Sequence, residues 1–204
     1  MPAEATGERV SVMFQIRIHG RGGQGVVSGA ELLSVAAFFE GRHAQAFPSF
    51  GSERMGAPVM AFCRIDDKEI RLREPVFDPD ALIIQDPTLL HQVDLFNGVR
   101  AGACILINST RSVDEMGLAS LTSGVSQLRF FPIAATELAL KHVGRAVPNV
   151  PLLGGFAAVT RVIGLPSLVR AIREKFPAPI ADRNVAAASE AFESLSRERE
   201  ATHA

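Results

Sequence analysis

The stretch IRIHGRGGQGVVSGAELL, residues 16–33, runs from a strand-like segment through a glycine-rich turn into a helix-like segment. Upstream and into it, Val12, Phe14, Ile16 and Ile18 alternate with Met13, Gln15, Arg17 and His19. A period of two marks a strand with one apolar and one polar face. The first strand of an ordinary doubly wound sheet is buried on both faces and reads as apolar throughout. The polar face therefore predicts that one side of this strand meets water or a partner. After the turn, Val26 to Glu40 has helical spacing, with Val27, Ala30, Leu33, Ala37 and Phe38 expected inward and Gly41 as the stop.

Gly20, Gly22 and Gly25 fit the pattern G-x-G-x-x-G between that strand and that helix, the context such a motif requires. Glycine admits positive φ in a tight turn, lets backbone approach a ligand and lets the helix start close to the strand. A helix N-terminus adds unpaired N–H groups and a positive dipole end, which suit an anion. The rest of the nicotinamide fingerprint is missing. An acid at the end of the second strand holds the ribose hydroxyls. Glu40 has nearly the right spacing but falls at the helix end, and the following HAQAF leads into Pro48-Ser49-Phe50 without one. Gln24 puts an amide where many dinucleotide sites carry an apolar side chain. Three readings stay open: an anion or phosphate site, an NAD or FAD site, and a turn that binds nothing.

The remaining chain reads as alternating strands and helices. VMAFCRI and EIRLR, joined by Asp66-Asp67-Lys68, predict a β-hairpin. ALIIQD (81–86) and ACILIN (103–108) are buried-type strands, and Pro87 opens an expected helix to about Phe96. RFFPIAATELALKHVG reads as strand then helix, and from Leu152 the chain is helical in character with Pro and Gly breaks. The fold class expected is α/β: a single Rossmann-like three-layer domain over 1–204, residues 1–10 loose. Its sheet is mixed, mostly parallel plus a hairpin, and its C-terminal third is helical.

Composition narrows the function classes. A net charge of −1 with interspersed signs leaves no nucleic-acid footprint. No secretory signal and no membrane-spanning run is legible, so a cytoplasmic protein is expected. Cys63 and Cys104 stand alone, which fits buried small hydrophobes rather than a disulfide or cluster ligand set. The five histidines lack metal spacing, and no nucleophile–base pairing is legible. No catalytic residue and no metal ligand is therefore assigned. Asp86-Pro87-Thr88 and Asn108-Ser109-Thr110 end strands where open sheets place ligands; helix capping is the preferred reading of both.

HGRGGQGVVSGAELLSVAAFFEG, QAFPSFGSERMGAPV, IIQDPTLL, ILINS and IAATELALKHVGRAVPNVPLLGGFAAV occur in order over most of the chain. Together they resemble the gamma subunit of the 2-oxoacid:ferredoxin oxidoreductase family, of which pyruvate:ferredoxin oxidoreductase is the best known member. Met55 departs from the pattern, standing where a basic residue is expected. The resemblance implies a complex that oxidatively decarboxylates a 2-oxoacid to an acyl-coenzyme A and passes electrons to ferredoxin or another acceptor. It implies alpha, beta and delta subunits as partners, with a flavin-containing subunit and a second gamma as further candidates. Thiamine diphosphate, Mg2+ and iron–sulfur clusters would sit in those partners. This chain would hold the complex together and contribute to the coenzyme A site. The candidate cofactor-binding residues are Gly20, Arg21, Gly22, Gly23, Gln24 and Gly25 in the turn, and Ser49, Phe50, Gly51, Glu53 and Arg54 in the loop. A free-standing nucleotide-binding oxidoreductase and an assembly scaffold with an empty turn are the alternatives.

Overall fold

The computed structural model describes residues 13–49, 55–122 and 124–203. The expectation of a loose segment at 1–10 lies outside them. Strand β1 (Phe14–Arg21) is the hinge of a six-stranded sheet ordered β2-β3-β1-β4-β5-β6. It runs antiparallel to β3 (Pro58–Asp66), with Ile16 opposite Cys63, and parallel to β4 (Ala81–Ile84), with Ile18 beside Ile83. Strand β2 (His43–Pro48) adds to β3 antiparallel, and β5 (Cys104–Asn108) and β6 (Arg129–Ile133) extend the far side in parallel. Pro132 falls in β6, an edge strand, where a missing N–H is tolerated. The mixed, mostly parallel α/β sheet matches the expectation from sequence.

Its hairpin lies elsewhere than expected. Residues 69–73 form no strand, and β3 pairs instead with β1 on one side and β2 on the other. With both edges of β3 occupied, EIRLR has no ladder left to join. Arg71 turns back on Glu69, and Leu72 is exposed.

Helices cover one face. Helix α1 (Val26–Phe39) packs Ala30, Leu33 and Ala37 inward as expected, and Leu32 and Ala36 besides. Phe38, expected inward, is 72% exposed because α1 meets the sheet and its helical neighbours on other flanks. After the connecting stretch, α3 (Ala135–Val143), α4 (Asn149–Thr160), α5 (Leu165–Lys175) and α6 (Ala178–His203) complete the layer. Helix α4 is buried from Asn149 to Val159, which accounts for its apolar residues on every side. A Cβ on its Gly154 would collide with the Ala188 carbonyl of α6, so glycine sets that close approach.

The other face is covered by connections rather than long helices. Leu82, Ile84, Ile105 and Ile107 pack beneath Leu89, Leu95, Phe96 and Leu118. The helix expected from Pro87 to Phe96 is reduced to a 3-10 turn, Pro87–His91, and a short α2 (Leu118–Leu121) lies further on. The carbonyls of Leu95 and Asn97 accept from Arg17 Nη2 at 2.9 and 2.8 Å, an alternative to helical bonding. The polar face of β1 is thus covered by the chain itself, not by water or a partner as expected. Gln15, Arg17 and His19 are each at most 7% exposed. Arg64 of β3 lies beside them, donating to Gln15 Oε1 and the Pro75 carbonyl and stacking over Phe47. Guanidinium groups satisfy loop carbonyls that an apolar strand face would leave unpaired. Burial, reinforced by the Arg17 charge, pushes the His19 imidazole down to about 3.

Candidate functional site

At the carboxyl end of β1 the chain turns into α1, while at the end of neighbouring β4 it leaves toward the opposite face. This divergence opens a crevice where open α/β sheets bind ligands. The glycines in the turn do different work. A Cβ on Gly20 would lie 2.7 Å from Val26 Cγ2 and 3.1 Å from Gln85 Cβ, so Gly20 permits the tight strand–helix junction. Gly23 and Gly25 have φ of 92° and 75°, which side-chain-bearing residues rarely adopt. A Cβ on Gly25 would also collide with the Asn149 carboxamide, whose Nδ2 donates to Gly25 O at 3.2 Å. Gly22 is latched by its backbone, donating to Ala57 O and accepting from Gly56 N.

Side chains brace the same turn. Gln24 Oε1 accepts from the Arg21 amide at 2.8 Å, and Gln24 Nε2 donates to Asp86 Oδ2 at 3.1 Å. Arg21 spreads its guanidinium over Asp86, Gly56 O, Thr88 Oγ1 and Gln92 Oε1. Asp86 Oδ1 also accepts from the Thr88 amide and hydroxyl, capping the 3-10 turn as expected. Burial pushes the Asp86 carboxyl upward, but the Thr88 and Gln24 hydrogen bonds and the Arg21 charge outweigh it and hold the group below the usual carboxylate range. Asn108 likewise acts as a cap, its Oδ1 accepting from Thr136 N at the start of α3.

The structure thus gathers Gly20, Arg21, Gly22, Gly23, Gln24 and Gly25 at the carboxyl end of β1. Ser49 lies at the corresponding end of β2, its amide donating to Met60 O. Phe50, Gly51, Glu53 and Arg54 lie outside the described residues. The chain that follows them returns to the turn, where Met55 bridges Gly22 and Gly56 O accepts from Arg21.

Beside the turn lies a cleft of about 400 Å3 between the start of α1, the α3–α4 connection and α6. Gly23, Gly25, Ser28, Arg145, Asn149, Arg183 and Asn184 supply its polar lining, and Val143, Val147, Phe176 and Ile180 its apolar wall. Gly25 caps α1 without a side-chain hydrogen bond, and the first intrahelical donor is Gly29 N to Gly25 O. The earlier amides of α1 are therefore left for a ligand or water. Arg145, Asn149 and Arg183 carried no local sequence signal as site residues. They lie more than a hundred residues from the turn, and only the packing of α4 and α6 brings them there. Cys63 and Cys104 lie buried on separate strands; burial pushes the Cys63 thiol up to about 12. Among the described residues no helix is long and apolar enough to cross a membrane.

Residues 15–194 match the family described as pyruvate ferredoxin/flavodoxin oxidoreductase. The chain is 43% identical over 183 residues to the pyruvate synthase subunit PorC of Methanothermobacter marburgensis, covering 90% of this chain and 98% of that protein. It is 43% identical over 180 residues to the pyruvate/ketoisovalerate oxidoreductases common subunit gamma of Thermococcus kodakarensis, covering 88% and 96%. The crystal structure of the pyruvate oxidoreductase subunit PORC of Thermotoga maritima superposes with a TM-score of 0.75 at 32% identity, covering 89% of this chain and 96% of that one.

Proposed function

Because the chain belongs to the pyruvate ferredoxin/flavodoxin oxidoreductase family, we propose that it is the gamma subunit of a thiamine-diphosphate-dependent complex oxidising a 2-oxoacid to an acyl-coenzyme A. Electrons leave to ferredoxin or another acceptor. The observation that carries this reading is near end-to-end correspondence with gamma-type subunits, at 98% and 96% of their lengths. Thiamine diphosphate with Mg2+ supplies the decarboxylation chemistry, and iron–sulfur clusters the electron path, from alpha, beta and delta partners. The two buried, separated cysteines of this chain do not fit a cluster ligand set. Its own part is to hold the assembly and present one wall of the coenzyme A site. Gly20–Gly25, Ser49 and the loop bearing Phe50, Gly51, Glu53 and Arg54 face the cofactor or a partner chain. Support comes from the uncapped start of α1 at the crevice, a geometry suited to anions.

The test is purification of an affinity-tagged chain from its native cells. We expect partner subunits to co-elute, with coenzyme A-dependent reduction of a viologen dye by pyruvate or another 2-oxoacid. A tagged chain that elutes alone, or that carries nicotinamide-dependent turnover by itself, would overturn the proposal.

A further inference from the structure

We propose that a trough across the carboxyl ends of β4, β5 and β6 seats an extended peptide segment of another subunit, with Gln85 and Arg111 as the residues that read it. The inference rests on the multi-subunit reading above and adds where a partner chain is gripped.

The trough has two halves that share the loop after β5. The nearer, of about 490 Å3, lies between Gln24 and Asp86 on one side and Thr136 and Glu137 at the start of α3 on the other. The farther, of about 570 Å3, runs between residues 109–112 and α6. Ser109, Thr110, Arg111 and Ala134 line both, so the halves are continuous. Crossing three strand ends takes about 10 Å at the usual strand spacing, the reach of about three extended residues.

The chemistry of the lining matches a peptide. Gln85 lines the near half and is 1% exposed, yet neither its Oε1 nor its Nε2 has a hydrogen-bond partner among the described residues. Its backbone is paired, the N–H donating to His19 O and the C=O accepting from Asn108 Nδ2. Nearly all buried polar groups find a partner, so the idle carboxamide points to one that this chain does not supply. Gly29 carries no side chain where a Cβ would lie 3.6 Å from Nε2, which leaves the carboxamide room to turn. A donor and an acceptor on one planar group match the C=O and N–H of a peptide unit, whereas an anion satisfies the donor alone. A nucleobase edge offers both as well, but the polar lining continues beyond Gln85 and includes no aromatic ring to stack on a base. Arg111, in the middle, makes no side-chain hydrogen bond or ion pair among the described residues and acts on Glu115 only through space. A carboxylate on the inserted segment can take its guanidinium fork. Two acids of the lining do not compete for it: Asp86 is held by Arg21, Gln24 and Thr88, and Glu190 by Lys141 and His142. Glu137 repels a second carboxylate at the near end. Hydroxyls of Ser109, Thr110 and Ser194 face aliphatic Ile133, Leu138 and Leu195 along the channel, a mixture that suits the alternating side chains of an extended strand.

The experiment uses the complex purified from its native cells, with photo-reactive benzoylphenylalanine in place of Thr110 in one version and Gln85→Leu or Arg111→Glu in two others. After irradiation, mass spectrometry should place the cross-links on one short contiguous stretch of one partner subunit. Gln85→Leu should raise the Tm of the full chain alone by about 2–4 °C, since an aliphatic group replaces an unpaired amide. The same substitution should raise the dissociation constant for the rest of the complex about tenfold or more. Arg111→Glu, at an exposed position, should weaken assembly similarly and leave the Tm of the chain within about 2 °C of wild type. A dissociation constant unchanged by either substitution in an otherwise intact complex overturns the trough and leaves the multi-subunit reading standing. A lowered Tm for Gln85→Leu overturns it too, because the amide would then be paired within the free chain. Cross-links confined to a second copy of this chain, or saturable binding of adenosine that Gln85→Leu abolishes, overturn the peptide assignment. A wild-type chain that elutes without partners overturns the multi-subunit reading itself.

Discussion

Arg21 Nε and Asp86 Oδ2 lie 3.0 Å apart across the mouth of the crevice between β1 and β4. The pair ties the residue after Gly20 to the cap of the 3-10 turn, so one carboxylate braces both walls. The folded-state pKa of Asp86 is depressed, so its contribution is fully present above the unfolded value near ~4 and is lost as pH falls through the folded pKa. Asp86→Asn should lower stability by about 1–3 kcal/mol at pH 7. The gap between variant and wild type should shrink as pH drops below about 4. Urea denaturation of both proteins at pH 7 and pH 3.5 measures it, and an unchanged gap would remove the role assigned to the carboxylate.

His19 predicts a different pH window. Its imidazole is held to about 3 by burial and the Arg17 charge, well below the unfolded value. Between roughly 6.5 and 3 the unfolded chain binds a proton that the folded chain refuses. Stability should therefore fall with decreasing pH there, at up to about 1.4 kcal/mol per unit from this residue. His19→Asn should flatten the slope between pH 6 and 4.5 in denaturant titrations. A slope equal to that of wild type would count against a buried neutral imidazole.

Arg17 anchors the segment covering the second face of the sheet. Replacing it with Met leaves the Leu95 and Asn97 carbonyls without their donor. A loss of about 3 kcal/mol is expected, since each orphaned buried acceptor costs roughly 1–3 kcal/mol. Hydrogen-exchange mass spectrometry should find faster exchange in residues 75–80 and 87–97 while β4 and β5 stay protected. Uniform acceleration across the sheet would contradict a local anchoring role.

Gly25 combines a positive φ with contact against Asn149. Gly25→Ala should cost about 1–3 kcal/mol and raise the KM for coenzyme A in the assembled complex. Adding Asn149→Gly should relieve the collision and recover only part of the loss, because φ remains. Full recovery by the second substitution would show that the backbone conformation is not the constraint.

Phe38 and Leu33 test the packing of α1. Phe38→Ser, at an exposed position, should change stability by less than about 0.5 kcal/mol, while buried Leu33→Ala should cost about 2–5 kcal/mol. Equal losses in thermal denaturation would reverse the assignment of its faces.

What could be read ahead of the structure was local. The alternation from Phe14 to His19, the glycine turn and the run Val26 to Phe39 each carry their signal within a few residues, and each forms near where it was expected. The hairpin after Asp66 failed because strand pairing depends on which ladders are already taken, and β3 is flanked by β1 and β2. The inward face of Arg17 failed for a related reason: a polar strand face looks the same whether water or carbonyls from residues 76–97 satisfy it. Phe38 shows the limit of helical spacing, which gives a stripe but not the flanks its neighbours will occupy. Within the site, Gly20 to Gly25 announced themselves by pattern. Arg145, Asn149 and Arg183 did not, because a charge in a surface connection acquires meaning only once another helix is seen opposite it.

The separation between Gly23 and Arg183 along the chain also has a temporal side. A ribosome releases the bend early, with β1 and α1 free to dock, while the guanidinium that closes the opposite wall is still untranslated. A nascent polypeptide therefore displays the bend without the far wall of its cleft, and gains that wall only as the final long helix folds down.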